Sequence, residues 1–349
     1  MEIFDWILFG VSLIIFCFSG LTVLYQVFFG LNKTGLNDKY IWGLNIQGFF
    51  ALSSFGTGIL ILLSAMILFL GEDYPKTLFQ FASSIAFACL ISSQLLMGAD
   101  LGKPLRALRI LIGKNFTSPL TLDFLTLGAL TILSFLFTFG LWMNIPLILR
   151  IWAYAVLLTG LLCTVSHSLL FISRVSAGYH SQPFLSTVII GCALWSGTAI
   201  LLLCSIGNPY YSRILNLLIL ATAFIFILSL GGLLSAVLGG KKPHNLISVM
   251  LSGVILFVLL CRGIVLKELI AVDAAVAILV LVSVFVEKYE SVIHFQKDPV
   301  LPAPYCRFEK QPPYHPSILE IGNFICGLSF IIVITYGIVI LKNIKEVLF

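Results

Sequence analysis

Charged side chains interrupt this chain so seldom that ten long apolar stretches can be read between them, at about 6–30, 42–70, 77–98, 121–141, 147–172, 183–206, 212–238, 246–266, 268–286 and 317–341. Crossing a bilayer takes about 20 apolar residues in helical form. No water is present in the hydrocarbon to satisfy a free peptide group, so such segments are helices. The expected fold is an all-α polytopic membrane protein of about ten transmembrane helices. Only 10% of the residues are charged and 60% are hydrophobic. That balance excludes a soluble enzyme with a single anchor, and a disordered chain. The net charge of +5 belongs to loops and lipid headgroups, so no nucleic-acid partner is expected.

The breaks are marked by turn chemistry. Gly71-Glu72-Asp73-Tyr74-Pro75, Asn208-Pro209, Gly239-Gly240-Lys241-Lys242-Pro243 and the Pro-rich stretch 299–316 are examples. The pair 246–266 and 268–286 reads as a tight hairpin around Lys267 and Glu268, with Arg262 and Asp273 in its flanks. One kinked or re-entrant element there would reduce the number of spans to nine. The first span starts with Glu2 and Asp5 and stays apolar from Trp6 to Leu31. It is therefore expected to be a retained helix, because a cleaved signal starts basic and is shorter.

Eight cysteines are spread out with no CxxC pair, and seven sit inside apolar segments. There a cysteine acts as a small hydrophobe. No iron–sulfur cluster and no structural zinc are expected in this chain. Of five histidines only His167 lies within an apolar run. A haem held across a membrane takes a pair of axial ligands, usually on facing helices, so no haem is expected.

The segment Gly98–Pro119 reads GADLGKPLRALRILIGKNFTSP. It is basic and amphipathic, with Arg106 and Arg109 three apart on one face. Asp100 can pair with Lys103 or Arg106. Physical chemistry alone allows an interfacial loop with snorkelling Arg and Lys. The string itself resembles the signature of the NrfD/PsrC-like family, the polysulfide reductase membrane subunit family. There the second core helix ends in D-L-G-[RK]-P-x-R and the next begins at S-P, here Asp100 to Arg106 and Ser118-Pro119. Trp42-Gly43-Leu44 looks like the family's first core helix. Tyr314-His315-Pro316-Ser317-Ile318-Leu319-Glu320 looks like its Y-x-P-S-x-x-E lead into the last helix. Asn45 stands where the family usually has Tyr.

The resemblance, spanning residues 40–341, implies a quinone-linked electron conduit. A quinol (menaquinone or ubiquinone) would exchange electrons with a ferredoxin-like iron–sulfur subunit. A molybdopterin or other catalytic subunit would lie beyond it. The implied layout is a first helix and loop over 1–41, a four-helix bundle over 42–182 with the motif loop 99–120, a second over 183–287, and a loop with the last helix over 288–349. VLGGKKPHNL after the seventh span faintly echoes DLGKPLRAL after the third, as a parallel repeat would.

A quinone site needs an apolar slot and a few polar groups at the carbonyls. Asn45, Gln94, Asp100 and Arg106 are the candidates, with Asp100 and Arg106 as the proton-exchanging pair. Each amide can instead serve an interhelical hydrogen bond, and Asp100 with Arg106 a structural ion pair. Lys103, Arg109 and Lys114 are candidates for partner docking. Asp123, His167 and Asp273 are candidates for a proton relay, because ionisable groups inside a membrane are functional hypotheses by default. Their structural alternatives are a helix N-terminal acid for Asp123, a neutral core histidine for His167, and an ion pair with Arg262 for Asp273.

Thirteen of the twenty Lys and Arg fall on the side that carries the motif loop, which points it to the cytoplasm. The resemblance implies a bacterial cytoplasmic membrane with that loop on the periplasmic face, and the second placement is the one expected. A secondary transporter, or a structural anchor with a degenerate quinone site, are the alternative functions. Against a transporter, the Gly and Pro interruptions do not fall in paired mid-span positions.

Overall fold

The computed structural model describes residues 3–37, 39–71, 73–102, 109, 116–172, 184–239, 246–265, 269–293, 296 and 313–348. Among the described residues ten long helices follow one another: α1 Ile3–Phe29, α2 Leu44–Leu70, α3 Lys76–Asp100, α4 Pro119–Met143, α5 Pro146–Ile172, α6 Leu185–Cys204, α7 Tyr211–Leu238, α8 Leu246–Val265, α9 Ile270–Val292 and α10 Ile318–Leu348. Among the described residues there is no strand. Among them, too, nine helices are long and apolar enough to cross a membrane, and Leu246–Arg262 of α8 is a shorter apolar helix. The chain is a multi-pass membrane protein.

Local chemistry sets the ends. Pro119 opens α4 just inside Ser118, where a missing N–H is harmless and the fixed φ is already helical. Asn144 closes α4 in the left-handed region at φ 54, a conformation that Asn tolerates. The hairpin read over 246–266 and 268–286 is two separate helices, α8 and α9. Residues 266–268 between them lie outside the described residues.

α2, α3, α4 and α5 each touch the next, and α5 returns to α2, which closes a ring of four. α6, α7, α8 and α9 close a second ring in the same way. α1 pairs with α10, and the pair lies against the first ring, mainly on α3. Lipid tails are as apolar as leucine, so close backbone approach rather than water exclusion holds such helices together. The seam between the rings shows this. A Cβ on Gly58 of α2 would sit 1.7 Å from the Ala193 carbonyl oxygen, and one on Gly197 of α6 would sit 2.4 Å from the Gly58 carbonyl carbon. The outer surface carries the bulky apolar groups, such as Phe18, Phe28, Phe69 and Phe257.

One boundary departs from the sequence expectation in a way that matters. The charge pattern places the end of the ninth span at 286, with Glu287, Lys288 and Glu290 in a loop. Instead α9 continues to Val292 and all three are buried, Lys288 to 1% exposure. Lys288 Nζ lies 2.7 Å from Glu287 Oε2. Ser291 donates to Glu287 at 2.7 Å, and Ser248 of α8 donates to Glu290 at 2.8 Å. Pairing and hydroxyl donors let these groups stay inside the ring.

Candidate functional site

The start of α2, the end of α3, the start of α10 and the end of α1 meet at one end of the molecule. Glu320 organises it. Ser317 and Glu320 form a capping box for α10: the Ser317 N–H donates to Glu320 Oε2 at 2.9 Å, and the Glu320 N–H donates to Ser317 Oγ at 3.3 Å. Each side chain thus satisfies a backbone donor that the first helical turn leaves over. Glu320 is fully buried and also accepts from the Gly35 N–H at 2.9 Å and the Tyr314 hydroxyl at 2.7 Å. The same hydroxyl accepts the Leu44 N–H at 2.7 Å. Burial, reinforced by the Glu320 carboxylate, pushes the Tyr314 phenol well above the usual tyrosine range. Gly43 makes room for this knot, since a Cβ there would lie 2.4 Å from Glu320 Oε1. Beyond the end of α9, Gln296 accepts the Ile41 and Trp42 N–H groups and donates to the Trp42 carbonyl.

A line of side-chain amides runs through this knot. The Asn45 amide donates to Asp100 Oδ1 at 3.5 Å, and Asn323 of α10 donates to Asn45 Oδ1 at 3.5 Å. Asn323 also donates to Gln26 Oε1 of α1 and accepts from Thr22 Oγ1 at 2.9 Å. Gln26, Asn45 and Asn323 are fully buried, whereas Asp100 is half-buried. The Gln26 amide nitrogen has no hydrogen-bond partner. Gly102 turns the chain out of α3 at φ 61, a left-handed conformation that glycine adopts without strain. Gly48 lies between Leu96 and Phe324, and Phe324 meets Phe285 with ring centroids 5.0 Å apart, so the amide line borders an apolar wall.

A second cluster lies inside the first ring. His167 Nδ1 bonds to Asp123 Oδ1, and its Nε2 lies 2.9 Å from Ser53 Oγ. Ser166 reaches Asp123 Oδ1 at 3.3 Å and Thr126 at 2.7 Å. The Cys163 sulfur lies 4.0 Å from His167 Nδ1. Phe49 and Phe50 flank the imidazole at 5.7 and 5.3 Å. Asn45, Phe49 and Ser53 occupy successive turns of α2, about 6 Å apart along its axis. One helix therefore borders both clusters.

The candidates named from sequence fall into separate groups. The structure brings Asn45 to Asp100, and Asp123 to His167. It does not bring Gln94 to them: that amide donates to Thr131 of α4 at 2.5 Å. Asp273 lies at the opposite end of the second ring. It accepts from Arg262 at 2.6 Å and from Tyr211 at 2.5 Å. The ion-pair alternative for Asp273 describes this geometry. Arg109 is exposed. Lys103, Arg106 and Lys114 lie outside the described residues.

No family model matches the chain. A protein of Halobacterium salinarum, described as a candidate membrane subunit of a dimethyl sulfoxide reductase, is similar to it. The two are 28% identical over 204 residues, 52% of this chain and 47% of that protein. The chain thus spans about half the length of that relative.

Several members of the site gave no signal in the sequence. Gln26 and Asn323 are single amides within apolar runs, and Gln296 sits in a loop. Ser317 and Glu320, by contrast, belong to the stretch that leads into the last helix, and their spacing before an apolar run is that of a capping box. Glu287 follows Val280 and Val284 at intervals of four and three, so a helical face continued through the charges.

Proposed function

We propose that this chain is a quinone-binding membrane subunit of a respiratory oxidoreductase, passing electrons between the quinone pool and a ferredoxin-like iron–sulfur subunit. One observation carries the reading. The three stretches that resemble the NrfD/PsrC-like family, at 42–44, 100–102 and 314–320, are separate in sequence and converge on one buried polar cluster beside an apolar wall. The similarity to a reductase membrane subunit supports the same class.

A bound quinone supplies a couple that takes up two electrons and two protons. The residues here fit its head group: amide donors, a carboxylate and aromatic side chains lie together, as a site for a ring with two carbonyls requires. Asn45 holds Asp100 by its amide and so fixes the carboxylate that exchanges protons at the ring. Asp100 is half-buried, which leaves it a route to the surface. Lys103, Arg109 and Lys114 are the docking residues for the iron–sulfur subunit in this reading, and Arg106 holds Asp100 or faces that partner. Deeper in the ring, the Asp123 carboxylate holds His167 at Nδ1 and so orients the imidazole, whose Nε2 exchanges a proton with Ser53. Gln94 and Asp273 take no part in this scheme. The membrane is a bacterial cytoplasmic membrane with the motif loop on its periplasmic side.

The test is purification of the complex in mild detergent, with extraction of bound quinone and spectra of the separated subunits. The reading expects quinone with this chain and a co-purifying iron–sulfur protein. Asp100→Asn then retains quinone and slows quinol turnover by about 100-fold, the lower range for loss of a general acid or base. A complex with neither quinone nor an iron–sulfur partner removes the reading in favour of a transporter or a structural anchor.

A further inference from the structure

We infer that the outer helices α1 and α10 complete the head-group site, with the Gln26 amide of α1 donating to a quinone carbonyl. This rests on the quinone-binding reading and goes beyond it, because neither helix belongs to the rings.

The Asp100 carboxylate accepts from the Asn45 nitrogen, which turns Asn45 Oδ1 toward Asn323 and leaves the Asn323 nitrogen facing both Asn45 Oδ1 and Gln26 Oε1. Gln26 is therefore held with its oxygen toward Asn323 and its NH2 facing away. That NH2 is fully buried and has no partner. An unpaired buried donor is costly, more so in a membrane with no water to relieve it. It persists where the surrounding bonds over-determine it, and here three of them do. The line thus ends at one side in a free donor, Gln26, and at the other in a carboxylate, Asp100. A neutral ring with two acceptor oxygens, one taking a hydrogen bond and the other exchanging a proton, is complementary to that pair.

The experiment uses the intact complex carrying menaquinone labelled with carbon-13 at its carbonyls. Gln26→Met keeps the length of the side chain and removes the donor. The expected result is quinone bound about three- to tenfold more weakly, the worth of one neutral hydrogen bond, and a labelled carbonyl stretch moved to higher frequency. Phe16→Leu, at the Phe16–Phe330 stack between the same two helices and off the amide line, is the control for helix docking and should leave the band in place. Unchanged quinone content and an unchanged band in Gln26→Met would overturn the inference and mean that the amide holds water. Equal quinone loss in both variants, with no band shift, would also overturn it, by making Gln26 a packing residue. A wild-type complex without quinone would instead bring down the underlying reading.

Discussion

Glu320 is the side chain on which the most separate pieces of chain depend. It caps α10, accepts from Gly35, and holds Tyr314, which in turn takes the Leu44 N–H. Tyr314→Phe leaves that N–H and one carboxylate oxygen without partners, at about 1–3 kcal/mol each. A thermal melt of the purified protein should fall by several degrees. The same contact carries a pH signature. Because the folded-state value of Tyr314 is raised, the native protein holds the phenolic proton more tightly than the unfolded chain does. This stabilisation is whole below the ordinary tyrosine value of 10.0 and is lost as pH rises beyond it. The wild type should therefore lose stability in alkali more steeply than Tyr314→Phe, and parallel alkaline melts would disprove this. Asp123 and His167 were each legible as ionisable groups in apolar runs. Their bond was not, because it joins residues 44 apart on different helices, and no periodicity encodes which faces meet.

At the scale of elements, the number and order of helices were readable because lipid leaves the backbone no other choice. The end of α9 was not, because charged residues in a membrane chain ordinarily mark a loop. Within a ring of helices a lysine can remain buried when a carboxylate neutralises it, and Glu287 does this for Lys288. The glycines were legible as packing residues, yet only the structure shows which of them meet. Gly58→Leu would drive a side chain into the Ala193 carbonyl across the seam. Overpacking costs about 1–3 kcal/mol where side chains yield, and backbone on backbone cannot yield. The expected outcome is loss of the folded protein from detergent extracts. By contrast Gly128→Leu, where a Cβ meets nothing within 4 Å, should extract normally. Equal yields of the two variants would refute the seam.

For the whole molecule, the ionisable side chains of the first ring are unevenly placed. α2 has no Asp, Glu, Lys, Arg or His. α3 has only Lys76 and Asp100, at its two ends, α4 only Asp123 near its start, and α5 only Arg150 and His167. Asp100, Asp123 and His167 all lie toward the end that carries the motif loop, and from there to the far surface the ring offers hydroxyls and amides. If quinol is oxidised at that end, its electrons and protons leave through the same face. Turnover then separates no charge across the bilayer and neither builds nor feels a membrane potential. An uncoupler added to sealed vesicles should leave the rate of this chain's complex unchanged, so the conduit would act as an electroneutral tap on the quinone pool.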